Sequence, residues 1–367
     1  MVEWKKLGDL LDYEQPTSYL VNSTEYDESY NVPVLTAGQS LVLGYTNETE
    51  GIYQASKENP TIIFDDFTTS FHWIDYKFKV KSSAMKMLRP KKDVNFRYVY
   101  YAMLGINFVP GGHQRHWISK YSNFEIPIPS LSEQSRIVSI LDTFTSSISN
   151  LKQQIEERRK QYEYERDLLL DLEGKEGVEM KKLGEVGDIC MCKRIMKNQT
   201  SDVGDIPFFK IGTFGGVPDA YISRELFEEY KKKYSYPKKG EILISAAGTI
   251  GRSVVFDGED AYFQDSNIVW ISNNEQLVLN TFLRYLYGII DWKIDGGTIK
   301  RLYNYNLKNA IIYVPSLQAQ SRIVSILDTF EQSISNLEEQ LAMREKQYEY
   351  YRNQLLTFEG EEERGKT

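Results

Sequence analysis

Pro218-Asp219 and the downstream Glu229-Tyr230-Lys231 share the outline of a nuclease centre, in which carboxylates hold a metal ion and a lysine attends the reacting phosphate. Lysines crowd this stretch, so accidental spacing is the preferred account. Ala246 to Arg252 (AAGTIGR) has the glycine content of a phosphate loop but matches neither G-x-G-x-x-G nor a Walker sequence ending in Gly-Lys-Ser/Thr. A turn between two strands is expected there instead. The three histidines, His72, His113 and His116, lack metal-ligand spacing. Cys190 and Cys192 stand one residue apart, too tight for an ordinary disulfide and too few for zinc, so reduced structural thiols are expected. With no H-E-x-x-H, no G-x-S-x-G and no Asn/Asp-Pro-Pro-Tyr/Phe, the chain reads as one that binds rather than one that reacts.

Charge bears on what it binds. The 367 residues include 44 Lys and Arg against 52 Asp and Glu, a net of −8 that at face value speaks against a polyanionic partner. Divided along the chain, the figure changes meaning. Residues 1–70 carry −9 and residues 71–130 carry +7, so basic material gathers in the second half of the first segment, beside all three histidines. Residues 131–174 carry −3, residues 175–315 carry +1 and residues 316–367 carry −4. Lys77 to Lys92 (KFKVKSSAMKMLRPKK) alternates Lys77, Lys79 and Lys81 along an expected strand, which would place three ammonium groups on one face; a lysine-protected sheet edge is the competing account. With 41% hydrophobic residues there is ample material for more than one core. No run approaches the ~18 apolar residues of a membrane helix, and Met1 to Leu10 lacks a signal-peptide core, so a cytoplasmic protein is expected.

Internal repetition supplies the elements that position these residues. QSRIVSILDTF occurs at Gln134 to Phe144 and again at Gln320 to Phe330, 186 positions later. The same offset relates Ser147 to Leu151 with Ser333 to Leu337, Lys160 to Tyr164 with Lys346 to Tyr350, and the pairs Glu173-Gly174 and Glu359-Gly360. Upstream, Val2 to Gly8 (VEWKKLG) returns as Val178 to Gly184 (VEMKKLG) at an offset of 176. Variable block, repeated block, variable block, repeated block is therefore the plan: one scaffold carrying two different heads.

In the first repeated block, Ile137, Leu141, Phe144, Ile148, Leu151, Ile155, Tyr162 and Leu169 step by four and three, with Arg158 and Glu165 filling the gaps. That is a heptad seam, and Arg344 repeats Arg158 in the second copy. Ser130 or Ser132, and Ser316, are candidate N-caps, and Gly174 is placed to close the first helix. A rod of about 40 residues, roughly 60 Å long, cannot hide its own seam. Antiparallel pairing of the two copies is expected. The seam arginine is open to four readings: a register device, a partner for Glu165, a snorkelling side chain, or a solvated side chain at an imperfect seam.

The variable blocks are expected to be mixed α/β heads with strands at Thr61 to Asp65, Glu241 to Ser245, Arg252 to Asp257 and Ser266 to Ile271. Each ends on a Gly-Gly turn with basic neighbours, GGHQRHW (Gly111 to Trp117) and GGTIKRL (Gly296 to Leu302), followed by the strand-like EIPIPS and IIYVPS. The recurrence suggests a backbone clamp for phosphate.

This layout resembles the specificity (S) subunit of type I restriction-modification enzymes. The likeness rests on the openings LSEQSRIVSILDTF and LQAQSRIVSILDTF, on the head starts VEWKKLG and VEMKKLG, and on head segments such as VPVLTAGQSLVLGYTNE and KKGEILISAAGTIGRSVVFDGEDAYFQDSNIVWI. The second opening departs from the usual Glu-Gln with Ala319-Gln320. The resemblance implies an α+β chain with a pseudo-two-fold internal repeat, two target-recognition domains joined by two long antiparallel coiled-coil helices. Residues 1–130 and 179–315 would be the recognition domains, 131–174 and 316–360 the helices, 175–178 a linker and 361–367 a disordered tail. It further implies a non-catalytic chain that holds no cofactor and reads double-stranded DNA for a site-specific deoxyribonuclease and adenine methyltransferase complex. Two modification subunits using S-adenosylmethionine would dock on the helices, and restriction (motor-nuclease) subunits using ATP and Mg would complete the assembly. Two half-sites separated by about one duplex turn, ~34–36 Å or somewhat more, would suit a rod-spaced pair of heads. A related system with a fused methylase-nuclease partner, and a non-DNA coiled-coil adaptor with two ligand-binding heads, are the alternatives.

Candidate DNA-facing residues combine polar side chains with basic neighbours. In the first head they are Thr68, Thr69, Ser70, His72, Lys79, Lys81, Ser82, Ser83, His113, Gln114 and Arg115. In the second they are Thr249, Arg252, Gln264, Ser266, Asn267, Lys300 and Arg301.

Overall fold

A computed structural model describes residues 2–36, 40–91, 94–111, 114–294 and 300–358. The chain forms two compact units, Met1–Gln153 with Glu339–Thr367, and Gln154–Glu338. In the first unit the elements run β1 (Glu3–Lys6), α1 (Leu7–Leu10), β2 (Leu11–Glu14), β3 (Val32–Leu35), β4 (Val42–Thr46), β5 (Thr61–Asp65), β6 (Phe71–Ile74), β7 (Lys79–Val80), β8 (Met85–Pro90), α2 (Phe96–Met103), β9 (Glu125–Ile128) and α3 (Leu131–Leu170). There follow β10 (Glu179–Lys182), α4 (Leu183–Val186), β11 (Gly187–Met191), β12 (Ile206–Phe209), β13 (Tyr221–Ile222), α5 (Arg224–Lys233), β14 (Ile242–Ser245), β15 (Ser253–Val255), β16 (Tyr262–Phe263), β17 (Ile268–Asn273), α6 (Asn280–Ile289), α7 (Asn304–Asn309), β18 (Ile311–Val314) and α8 (Leu317–Leu356). Both long helices span 40 residues and serve both units. The tail expected at 361–367 lies outside the described residues. Among the described residues, no helix is long and apolar enough to cross a membrane.

The two heads share a sheet plan. In the first, β2-β8-β5-β6 form an antiparallel sheet, β4-β3-β7 a smaller one, and β1 pairs with β9. The second repeats this as β11-β17-β14-β15, β13-β12-β16 and β10-β18. The continuous apolar run of β5 (TIIFD) and the ILIS of β14 are buried on both faces, as central strands require. Their cores hold Ile62, Phe64 and Leu88 in the first unit and Ile242, Ile244 and Val269 in the second.

The repeated residues are the joints between head and helix. Leu7 and Leu183 are fully buried, and the glycine after each leaves room for a close approach: a Cβ on Gly8 would stand 3.2 Å from the Ser122 carbonyl oxygen, and one on Gly184 would stand 3.1 Å from Lys308 Cβ. Gln134 is buried and donates to the Pro129 carbonyl at 2.8 Å while accepting from the Asn95 amide at 3.1 Å, next to the start of α2. Gln320 repeats this with Pro315 at 2.8 Å and the Leu279 amide at 2.8 Å, adding a bond to the Leu277 carbonyl at 3.0 Å. Ile137 with Leu141, and Ile323 with Leu327, enter the two cores. Asp142 accepts from the Tyr101 phenol and Asp328 from the Tyr285 phenol, each at 2.5 Å. Burial, and then that hydrogen bond, push both phenols well above their ordinary range, so each keeps its proton and donates. Gln320→Ala should therefore strand the amide of Leu279 and two carbonyls and cost about 1–3 kcal/mol, read from a urea melt.

Along the seam, every first-copy position from Ile137 to Leu169 is buried or half-buried, Arg158 and Glu165 included. Within the first unit the pairing is antiparallel: Phe144 stacks on Tyr351 and Lys152 pairs with Glu345 at 2.9 Å. The second unit shows the same sense, with Tyr162 beside Phe330 and donating to Glu331 at 3.2 Å. Each seam arginine lies over the repeated phenylalanine of the opposite helix, Arg344 on Phe144 at 5.6 Å and Arg158 on Phe330 at 5.7 Å. Aromatic packing is thus what these arginines do. Ser130 and Ser316 are the caps, accepting from Glu133 and Ala319 amides, whereas Gly174 is left-handed (φ 70°) but stands four residues past Leu170, where α3 ends, so it shapes the linker turn and does not close the helix.

Candidate nucleic-acid interface

Where β5 turns into β6 the chain must reverse, and Asp65 organises the turn. Its carboxylate accepts from the Phe67 and Thr68 amides at 2.9 and 2.8 Å, Thr69 adopts φ 58°, and the Thr68 and Ser70 hydroxyls lie 2.5 Å apart. Two other loops meet this turn. The Asp66 amide donates to the Ala84 carbonyl at 3.1 Å, and the His116 amide donates to the Asp66 carbonyl at 2.8 Å. These bonds draw together Thr68 and Ser70, Ser82 and Ser83, and Gln114 and Arg115; Thr68, Ser83, Gln114 and Arg115 are exposed. Thr69 is buried at the base of the turn.

The second head builds the same junction. Ala246 donates to the Asn267 carbonyl at 2.7 Å and accepts from the Leu302 amide at 2.9 Å. AAGTIGR is the turn between β14 and β15, as its sequence suggested, and carries Thr249 and Arg252 outward. Lys300 is exposed beside it. Arg301 instead points back: its guanidinium donates to the Ser266 carbonyl (3.0 Å), the Ser266 hydroxyl (2.7 Å) and Asn267 Oδ1 (3.1 Å). Ser266 has φ 49°, a left-handed conformation uncommon for serine. Gln264 also turns inward, accepting from the Ile211 amide at 2.8 Å.

Several expectations need correction. Lys79 does not share a solvent face with Lys77 and Lys81: its side chain is 2% exposed, its ammonium 2.9 Å from Glu48 and 2.7 Å from the Glu50 carbonyl. Only Lys79–Val80 pair as strand, so the alternation over five residues never forms. Lys81 is exposed, 6.0 Å from the Tyr26 ring. His72 sits half-buried on β6 opposite Ile63. His113 falls outside the described residues. His116 is buried with its ring edge-on to Phe108. Cys192, by contrast, is the free structural thiol expected, and its burial pushes the thiol up to about 12.

The nuclease outline does not assemble. Asp219 is 2.8 Å from Lys210, Glu229 is 2.8 Å from Lys233 and Lys231 is 3.2 Å from Asp260, so each group is committed to a different partner. Among the described residues no three His, Cys, Asp or Glu side chains are grouped to hold a metal. Two features escaped the sequence reading. Tyr303 and Tyr305 are exposed and stacked, rings 6.2 Å apart and 8° from parallel, just after Arg301. The KRLYNY spacing, aromatics at alternate positions after two basic residues, is the signal that would have found them. The other is Asp66, on the same turn, whose carboxylate accepts from the Trp117 amide at 2.7 Å.

Basic and hydroxyl side chains on three converging loops can contact phosphates and base edges. Comparison with known proteins points the same way. Residues 1–158 and 175–343 match the family model described as the type I restriction modification DNA specificity domain. A protein named as a type I restriction enzyme specificity subunit in Haemophilus influenzae is 46% identical over 97% of this chain and 96% of its own length. The Escherichia coli EcoR124I/EcoR124II specificity subunit is 38% identical over 97% of this chain and 94% of its own. In fold, the crystal structure of the S subunit from M. genitalium is similar with a TM-score of 0.64 at 16% identity, covering 98% of this chain and 96% of that one.

Proposed function

Since the chain belongs to the type I restriction-modification DNA specificity family, we propose that each head reads one half of a split DNA target while the repeated helix surfaces dock two copies of one modification partner. The observation that carries this is a contrast within the duplication. The junction of three loops is the same in both heads but displays different side chains, Thr68, Ser83, Gln114 and Arg115 in one and Thr249, Arg252 and Lys300 in the other. The helix starts do the reverse. Gln134, Ile137, Leu141, Asp142 and Phe144 are explained by packing, whereas Ser135, Arg136, Ser139 and Thr143 are exposed and still identical to the exposed Ser321, Arg322, Ser325 and Thr329. The fold does not need that second identity. One partner meeting the same surface twice does need it.

In this assembly the chain supplies recognition, in the cytoplasm, and no cofactor. S-adenosylmethionine would belong to the modification subunits, and ATP and Mg to restriction subunits. Methylome sequencing with and without the gene tests the whole reading: one split adenine motif should vanish from the strain that lacks it, and an unchanged methylome would overturn the proposal. At single-residue level, Lys81→Ala should weaken binding of the assembled complex evenly across DNA sequences and reduce the salt slope by about 1, measured by titration. A changed base preference would make Lys81 a reader instead of a phosphate contact.

A further inference from the structure

Asp66 and Lys86 form an ion pair at 3.0 Å with both side chains 2% exposed, beneath the three loops of the first head. Asp66 touches every one of those loops. It lies on the β5–β6 turn, its amide bonds Ala84 in the loop that carries Ser82 and Ser83, and its carbonyl takes the His116 amide. Its carboxylate divides the same way: one oxygen meets Lys86 on β8, and the other accepts from the Trp117 amide at 2.7 Å. Thr68, Ser83, Gln114 and Arg115 are therefore all within two residues of an atom bonded to Asp66.

The second head does this differently. Matching backbone bonds set Ala246 in the place of Asp66, and the register that pairs Phe64 with Lys86 pairs Ile244 with Val269. No charge is buried at that pair of positions; Arg301 crosses between the loops instead. An apolar pair thus suits the fold at this place, and buried ion pairs commonly give no more stability than the apolar residues that could replace them. Stability alone does not account for Asp66 and Lys86.

We propose that Asp66, held by Lys86, is a positioning residue for sequence discrimination in the first head, fixing the three loops whose side chains face the DNA. This rests on the reading of the heads as recognition domains. The test uses the full chain assembled with its modification partner and the double variant Asp66→Ala/Lys86→Val, which installs the second head's own residues. Duplexes selected from a randomised pool report each half-site, and thermal melting reports the fold. The double variant leaves the Trp117 amide without its acceptor, so it should melt below the wild type while staying folded, and it should lose about tenfold in preference at one half-site, leaving the other as an internal control. A folded double variant with wild-type preference at both half-sites overturns the proposal. Should the double variant fail to fold, Lys86→Gln, which leaves Asp66 its bonds to the third loop, is read by the same selection: weakened preference at that half-site supports the positioning role and full preference overturns it. A wild-type complex that selects no two-part target overturns the recognition reading itself, a result distinct from either.

Discussion

Leu327→Ala should destabilise the second unit by about 2–5 kcal/mol. Leu327 is fully buried, one turn beyond Ile323, in a core that also contains Leu170, Leu172, Phe282 and Leu286. Those neighbours come from both long helices and from α6, so the cavity would open where three elements meet and none could close it alone. Leu337, ten residues further along the same seam, is half-exposed, and its truncation should cost well under half as much. Hydrogen exchange read peptide by peptide separates the cases: Leu327→Ala should raise exchange in α6 and β17, while Leu337→Ala should leave both protected. Equal effects of the two substitutions would mean that the helix seam, and not the joint, holds the unit together.

Arg301→Ala should have two effects that part company. Losing three bonds from one guanidinium, two of them holding a serine in a left-handed conformation, should cost about 1.5–3 kcal/mol. The assembled complex should also lose discrimination at the second head's half-site while its salt slope stays as it was, because a side chain spent on Ser266 and Asn267 is not a phosphate contact. Arg301→Lys should retain part of both, since all three acceptors surround one nitrogen, Nη2, and an ammonium carries three N–H groups to offer them, on a shorter stem. A salt slope lowered by about 1 would restore Arg301 to the DNA-contacting set.

Much of the architecture was legible in the residues. An eleven-residue identity repeated at a constant offset announced the two helices, the period of apolar residues located their seam, and serine marked their starts. Thr61 to Asp65 forms the strand expected of it because a continuous β-branched and aromatic run has few other uses. For the surface proposed to meet DNA, local pattern misjudged which side chains are free. Lys79 failed as a reader because its partner, Glu48, lies far back in the chain, and nothing in KFKVK reports that distance. Arg301 looked like a free basic residue for the same reason: Ser266 and Asn267 become its neighbours only after β17 has been laid beside β14. Local pattern reveals what a side chain is able to do, whereas its occupation depends on contacts that close late and from far away.

The two units differ in how synthesis delivers them. Gln154–Glu338 is one uninterrupted stretch, so all of it is synthesised before Glu339 is added. Met1–Gln153 is made before it, yet its core also takes Leu356, which lies beyond the second unit in sequence. Of the two units, the one begun first is thus the one completed last, and until then the core residues that pack with Leu356 lack that partner. Cutting the chain after Glu338 would consequently damage the first unit and spare the second, the opposite of what order along the chain would suggest.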